Sequence, residues 1–115
     1  MPQYAAVIYS RDADWSRPEE AQTIADYAEF GQAASAVIRG GAALYPTASA
    51  TTVRTDAKGG TPVTSDGPYT ETKEVLTGFY LLECADLEEA VAWAARIPGA
   101  WDGAVEVRPV IDFGM

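Results

Sequence analysis

The most informative absence in this sequence is histidine, which occurs nowhere among its 115 residues. Without it the chain has no Ser-His-Asp or Cys-His catalytic arrangement, no histidine-ligated metal and no imidazole base near neutral pH. Cysteine is almost as scarce, because Cys84 is the only one. An intramolecular disulfide and a cysteine-based zinc site are therefore excluded. Cys84 lies late in an apolar segment, and we interpret it as a small buried thiol rather than a nucleophile.

Basic residues are also few. The chain has 8 Lys and Arg against 17 Asp and Glu, which gives a net charge of −9. Such a surface repels a phosphate backbone, so we expect no nucleic-acid partner, and the acidity is interpreted as favouring solubility. No hydrophobic run approaches the roughly 20 residues needed to cross a membrane, and the N-terminus lacks a signal-peptide pattern. We expect a cytoplasmic protein without a membrane partner.

The composition is that of one globular domain spanning residues 1–115, with 48% hydrophobic and 22% charged residues. The glycine pairs at 40–41 and 59–60 lack the flanking pattern of a phosphate-binding loop. No zinc spacing occurs either, and an oxygen-only metal site has no support. We therefore expect no cofactor and no metal.

The first half of the chain predicts a strand, a helix and a hairpin. Residues 3–9 form an apolar and aromatic run, which predicts a strand covered on both faces. Ser16, Pro18 and Glu19 resemble a capping box that opens a helix, with Trp15 packed as a staple on its first turn. Near-helical apolar spacing continues to residue 38, where the glycine pair at 40–41 is expected to end the helix. Short strands are then predicted at 42–46, 51–54 and 61–65, the last two as a hairpin.

The second half repeats the pattern of strand, helix and strand. Residues 78–84 form the clearest strand, and Asp86 with Glu89 predicts a capped helix that ends at 98–99. Its apolar stripe consists of Leu87, Ala90, Val91, Ala94 and Ile97. Residues 104–111 form the last strand. The order predicts an α+β, ferredoxin-like βαββαβ fold with a hairpin insert, both helices covering one face of an antiparallel sheet. The other face would be bare, and pairing with a second copy would cover it.

Between the hairpin and the clearest strand lies a polar segment that begins with a rigid turn. Asp66, Gly67 and Pro68 favour a turn, since glycine tolerates positive φ and proline fixes its own φ. A phenol, two acids and a base follow within residues 69–74. A turn that delivers such groups to a buried strand is a reasonable site, and it is equally typical of an exposed loop.

The motifs in this region resemble the signature of the YCII-related family, in the branch named for its DGPF motif. They are Asp66-Gly67-Pro68-Tyr69, Glu71-Thr72-Lys73-Glu74 and Gly78-Phe79-Tyr80-Leu81, with Tyr69 where the name has Phe. The likeness continues through residues 90–98 and 103–110 and covers nearly the whole chain. It implies a homodimer with a dimeric α+β barrel. The His-Asp pair proposed for the better-known branch does not carry over, because this chain has no histidine.

The predicted site residues lie in or near these motifs. Asp66 and Tyr69 are the catalytic candidates, although an aspartate in such a turn commonly bonds only the adjacent backbone. Glu71, Lys73, Tyr80 and Arg108 are the candidates for ligand binding; Lys73 would bind an anion, or else pair with neighbouring glutamates in solvent. Of Phe79 and Tyr80, we expect Phe79 to be the core residue.

Other charged residues lie in predicted strands: Arg54, Glu83, Glu106 and Arg108. They would form an anion site or fix the register of a dimer, and the sequence leaves both open.

Two functions of different classes fit these observations. The first is a small-molecule-binding protein with a cleft near residues 66–73, acting as an enzyme of proton-transfer or hydrolytic type. The second is a non-catalytic accessory or sensor protein, because members of the DGPF branch often accompany extracytoplasmic-function sigma factors. In that role the acidic surface would bind a basic protein partner.

Overall fold

A computed structural model describes residues 1–114 as a mixed α+β structure. The strands are β1 (Gln3–Arg11), β2 (Ile38–Ala43), β3 (Thr51–Arg54), β4 (Val63–Asp66), β5 (Glu74–Glu83) and β6 (Ala104–Pro109). The helices are α1 (Ala21–Ala33), α2 (Leu87–Ala94) and the single turn α3 (Gly99–Asp102). Among residues 1–114, no helix has the length and apolar character needed to cross a membrane.

The main sheet has four antiparallel strands in the order β2-β5-β1-β6. With the β3–β4 hairpin left aside, this is the strand order of a ferredoxin-like βαββαβ fold. The hairpin forms a separate two-stranded sheet, with Thr51 opposite Asp66 and Arg54 opposite Val63. The predicted fold class and the hairpin insert are confirmed.

Strand β1 is central and has one covered face. Tyr4, Ala6, Ile8 and Ser10 are buried under the helices, whereas the alternating residues Ala5, Val7 and Tyr9 are only half-buried. The prediction of a strand covered on both faces is wrong for the single chain. Both faces carry apolar side chains, so the sequence does not show the alternation that the fold imposes.

The covered face packs against both long helices. Phe30 and Ala34 at the end of α1, Ala90 and Ala94 of α2, and Ile97 meet the strand residues in one core cluster. Cys84 is fully buried in this cluster, which confirms its interpretation as a structural thiol. Burial raises the pKa of its thiol, so it stays protonated at neutral pH.

The expectation for the aromatic pair on β5 is wrong. The ring of Tyr80, not that of Phe79, faces the helices and lies 5.1 Å from the ring of Phe30. Phe79 pairs with Val7 on the open face. Tyr80 lies opposite the buried Ala6, and apolar residues occur on both faces of β5, so the pattern of β5 alone does not identify its buried side.

The glycine pair after α1 does not end that helix. The helix ends at Ala33, and Gly40 and Gly41 belong to β2. A Cβ atom at Gly41, whose φ is 155°, would lie 2.5 Å from the carbonyl oxygen of Phe79. The glycine therefore permits close contact between two strands, a requirement that depends on a residue far away in the sequence.

The start of α1 also differs from the prediction. The amide and hydroxyl of Ser16 donate to Asp14 instead of capping the helix. A 3₁₀ turn, Pro18–Glu20, leads into α1. A nearby aspartate thus competes successfully for the serine, as expected for short polar side chains in loops.

The predicted cap of α2 is confirmed. The amide of Glu89 donates to Asp86 at 2.9 Å, and the carboxylate of Glu89 accepts from the amide of Ala85 at 2.7 Å. The apolar stripe is confirmed only in part, because Leu87 and Val91 are 49% and 50% exposed. The helix ends at Ala94, before the predicted boundary, and Gly99 begins α3.

The stability of the α3–β6 junction should depend on Gly103. A Cβ atom there would lie 2.2 Å from the carbonyl oxygen of Tyr9, which is part of the central strand. We expect Gly103→Ala to lower the free energy of unfolding by roughly 1–3 kcal/mol. Gly31→Ala is the matched control, because a Cβ at this position in α1 meets nothing within 4 Å. It should be neutral or raise stability by up to about 1 kcal/mol. Equal urea midpoints for the two variants would contradict this.

Candidate functional site

Two adjoining cavities lie between α1 and the covered face of the sheet, and they share Trp15 and Tyr27 in their walls. The larger, of about 400 Å³, is mainly apolar and is lined by Ile8, Ile24, Ala42, Ala43 and Tyr80 among others. The smaller, of about 270 Å³, is the more polar of the two, is called the polar cavity below, and is lined by Ser10, Arg11, Asp26, Asp102 and Trp101 among others. We call the two together the helix–sheet cleft.

The loop after β1 places Trp15 in this cleft. Ala13 is buried and anchors the loop, and the indole of Trp15 meets the ring of Tyr27 edge-on at 6.1 Å. The predicted staple on the first helical turn is therefore replaced by a contact further along α1. The indole Nε1 is buried and has no hydrogen-bond partner within residues 1–114. Such an unpaired donor is rare in folded proteins.

Tyr27 and Tyr80 bring two phenols to the apolar cavity from α1 and β5. The hydroxyl of Tyr27 accepts a hydrogen bond from the amide of Gly99 at 3.1 Å, so its own proton is free to be donated. Burial raises the pKa of Tyr27 to about 12, and burial also raises the pKa of Tyr80. Both phenols are therefore neutral donors at physiological pH.

A buried pair of hydroxyls connects the two cavities. Ser10 lines the polar cavity, Thr77 lines the apolar one, and their hydroxyl oxygens lie 3.0 Å apart. Each satisfies the other in a site where an unpaired hydroxyl would be costly.

The charged groups of the polar cavity are unequal in number. Arg11 contacts the buried Glu20, with 2.6 Å between guanidinium Nη2 and carboxylate Oε1. This hydrogen bond and charge raise the pKa of Arg11 above its ordinary value. Asp26 accepts from Gln22 at 2.9 Å, and Asp102 also lines the cavity. In the polar cavity, the positive charge is thus already paired and two carboxylates remain.

The predicted catalytic residue Asp66 lies at the exposed end of β4, outside the helix–sheet cleft. The turn that follows Asp66 is held by hydrogen bonds to strand β3 and to Ala50, the residue that precedes β3. The amide of Gly67 donates to the carbonyl of Ala50 at 2.8 Å, and Thr52 Oγ1 donates to the carbonyl of Gly67 at 2.9 Å. The turn therefore fixes the hairpin to the polar segment.

The other predicted catalytic residue, Tyr69, borders a different, open groove. It is 74% exposed, and the guanidinium of Arg54 lies 4.9 Å from its ring centroid. The groove, of about 590 Å³, lies between the hairpin and the sheet and also contacts Tyr45 and Pro68. Glu71 and Lys73 are exposed nearby and do not line it.

The remaining predicted residues lie on opposite faces of the sheet. Tyr80 lines the helix–sheet cleft, whereas Arg108 pairs with Ala5 on the open face. Glu83 forms an ion pair with Arg39 at 2.7 Å within the same chain. The structure therefore brings Tyr69 beside Arg54 and does not bring the six predicted site residues together.

Residues of the cleft that the sequence did not reveal are Arg11, Trp15, Asp26, Tyr27 and Asp102. The signal available was weak: Asp26 and Tyr27 are adjacent on α1, and Trp15 follows the end of a strand. Within the described part of the chain, no three acidic or thiol side chains form a group that could hold a metal ion.

Residues 3–114 match the model of the YCII-related domain. The chain belongs to the YCII-related family. A curated relative, the uncharacterized protein R00369 of Rhizobium meliloti (strain 1021), is 36% identical over 119 residues, an alignment that covers 93% of this chain and 90% of the relative.

A solved structure has a similar fold. It is 5-chloro-2-hydroxyhydroquinone dehydrochlorinase (TftG) from Burkholderia phenoliruptrix AC1100, in complex with 2,5-dihydroxybenzoquinone, with a TM-score of 0.54. The match covers 95% of this chain and 93% of that one at 13% sequence identity. At this identity the likeness shows the fold of the YCII-related chain and not its activity.

The hydrogen bond between Tyr27 and Gly99 should be measurable in the stability of the fold. Tyr27→Phe leaves the part-buried amide of Gly99 without its acceptor, so we expect a loss of about 1 kcal/mol in the free energy of unfolding. Tyr80→Phe is the control, because its hydroxyl makes no hydrogen bond within residues 1–114. It should change stability by less than about 0.5 kcal/mol. Chemical denaturation followed by circular dichroism measures both, and equal losses would contradict the assignment.

Proposed function

We propose that this YCII-related protein binds a small ring compound in the helix–sheet cleft and catalyses proton transfer on it. The observation that carries the proposal is the convergence of two neutral phenols, Tyr27 and Tyr80, on an apolar cavity that adjoins two carboxylates, Asp26 and Asp102. Groups that donate to an oxygen and groups that accept a proton thus lie in one cleft.

The reaction that suits these groups is removal of a proton from carbon next to a carbonyl. The C–H electron pair forms a C=C bond, the carbonyl π pair moves to oxygen, and the proton goes to a carboxylate. Tyr27 and Tyr80 would stabilise the developing oxyanion as fixed hydrogen-bond donors. Asp102 would act as the base, since the carboxylate of Asp26 is already held by Gln22.

One further observation supports a ligand that carries an oxygen acceptor. The unpaired indole N–H of Trp15 lies in the cleft wall, where an oxygen atom of a bound ligand would give it a hydrogen-bond partner. Aromatic and aliphatic walls of the kind formed by Trp15 and Ile24 suit a planar ring.

The groove beside the segment 66–73 is the second candidate location. It contains the predicted residue Tyr69, whose side chain is largely exposed. The helix–sheet cleft is favoured because its phenols, Tyr27 and Tyr80, are partly buried and burial raises their pKa. The association with a sigma factor stays a prediction from the family resemblance, and the cytoplasmic location stays a prediction from the hydrophobic pattern of the sequence.

A homodimer is also part of the proposal. The open face of the sheet presents Val7, Phe79 and Leu81, and the two long helices of residues 1–114 pack on the opposite face. A contiguous apolar surface of this kind is typical of an interface. We infer that a second copy packs its own open face against it, as in a dimeric α+β barrel.

The dimer is tested by a charge on the open face. Phe79→Glu should convert a dimer to a monomer in size-exclusion chromatography with light scattering, because an unpaired carboxylate would be buried in the interface. Val91→Glu, at a half-exposed position on α2, should leave the dimer intact. A monomeric wild-type protein at micromolar concentration would refute the inference.

The activity is tested by hydrogen–deuterium exchange at carbon. Ring ketones such as acetophenone and 2-indanone are incubated with the protein in heavy water, and exchange of the protons next to the carbonyl is followed by NMR. Tyr80→Phe should slow the exchange about 10- to 100-fold, and Asp102→Asn by at least about 100-fold.

Tyr69→Phe distinguishes the two locations. It should leave the exchange rate unchanged if the helix–sheet cleft is the site, and it should abolish exchange if the groove beside the hairpin is. The absence of exchange with every ring carbonyl compound would overturn the proposed function.

A further inference from the structure

The two side chains of the ion pair between Arg11 and Glu20 differ greatly in their exposure to solvent. The side chain of Glu20 is 6% exposed, whereas that of Arg11 is 60% exposed and lines the polar cavity. Both carboxylate oxygens contact Nη2 of Arg11, at 2.6 and 2.8 Å. A buried carboxylate needs such a partner, because an unpaired charge in a desolvated position is costly.

The pairing changes what Arg11 offers to a ligand. An arginine at the mouth of a cavity is ordinarily the group that binds a carboxylate or a phosphate. Here Glu20 binds Nη2 and offsets the positive charge of the guanidinium, and the remaining charged residues of the cavity wall, Asp26 and Asp102, are acidic. An anion entering the cavity would meet two carboxylates and an arginine whose charge is already balanced by a third.

We propose that Glu20 sets the charge selectivity of the helix–sheet cleft: by balancing the positive charge of Arg11, it disfavours anionic ligands and restricts the cleft to uncharged ring compounds that carry an oxygen acceptor. The inference rests on the proposed function, since it concerns the ligand of the same cleft. Glu20 is a specificity residue in this scheme and not a catalytic one, because it does not line either cavity.

The uncharged donors of the cleft fit this restriction. Tyr27, Tyr80 and the indole of Trp15 can donate hydrogen bonds to a ligand without carrying a positive charge. They would hold a carbonyl oxygen well and would offer little compensation for the lost hydration of a carboxylate. The apolar wall adds to the penalty for a charged ring substituent.

The test compares benzamide with benzoate, two compounds of nearly the same shape that differ in charge. Binding to the wild-type protein and to Glu20→Gln is measured by calorimetric and NMR titration. Wild type should bind benzamide and not benzoate. Glu20→Gln keeps the shape of the side chain and frees Arg11, so benzoate affinity should rise at least about fivefold while benzamide affinity changes less than twofold.

Two control variants distinguish charge from structure. Glu19→Gln removes the neighbouring, exposed carboxylate from the same turn and should leave the selectivity of wild type. The double variant Arg11→Gln with Glu20→Gln should lose the gain in benzoate affinity, because the gain depends on the freed guanidinium. If Glu20→Gln alone is unstable, the double variant takes its place in the titrations. It leaves no unpaired charge at this position and should bind benzamide as wild type does.

The outcomes separate this inference from the proposed function. If wild type binds benzamide but Glu20→Gln gains no benzoate affinity, the role of Glu20 is refuted and the cleft stands. Wild-type protein that prefers benzoate would refute the selectivity directly. If neither compound nor any other ring carbonyl binds wild type, the proposed function itself fails.

Discussion

The central strand β1 is the constraint on which the rest of the molecule depends. It pairs with β5 on one side and with β6 on the other, and its inward residues Tyr4, Ala6 and Ile8 form the floor of the core. Because the helices cover only that face, the chain has one buried layer and one open layer. The same strand ends at Ser10 and Arg11, and these two residues form part of the wall of the cleft. Core, open face and candidate site therefore follow from the position of a single strand.

Features of the fold that depend on residues close together in the sequence could be predicted, and features that depend on distant residues could not. The cap of α2 was predicted correctly because Asp86 and Glu89 lie three residues apart and satisfy local amides. Strand β3 was predicted with its observed bounds from its β-branched residues. The role of Gly41 was not predictable, since it depends on the carbonyl of Phe79 in another strand. The face of Tyr80 was likewise decided by the pairing with β1, in which it lies opposite the buried Ala6.

The candidate site shows the same limit more strongly. Sequence reasoning selected residues around the family motif, since they are close in the chain and chemically varied. The structure holds that motif largely through hairpin contacts, such as the bond from Thr52 to Gly67. The cleft instead joins residues that are distant in sequence: Tyr27 accepts from Gly99 across 72 positions, and Ser10 meets Thr77 across 67. Of the predicted residues, Tyr80 alone lines this cleft, because its neighbours come from three other elements.

The absence of histidine, finally, constrains which group can do which part of the chemistry. A phenol with a pKa of about 12, as for Tyr27, holds its proton at neutral pH and so serves as a donor rather than a base. The proton acceptor must then be a carboxylate, and carboxylates are ionised and effective as acceptors at neutral pH. A site of neutral donors and ionised acceptors carries net negative charge once Arg11 is paired with Glu20. With a neutral substrate the net charge of the site does not change during the reaction, because the base is neutralised by the proton as negative charge develops on the substrate oxygen, where the phenols donate hydrogen bonds. A substrate that is already anionic would add to the negative charge of the site. The lack of an imidazole base and the charge-balanced arginine thus lead to the same class of ligand.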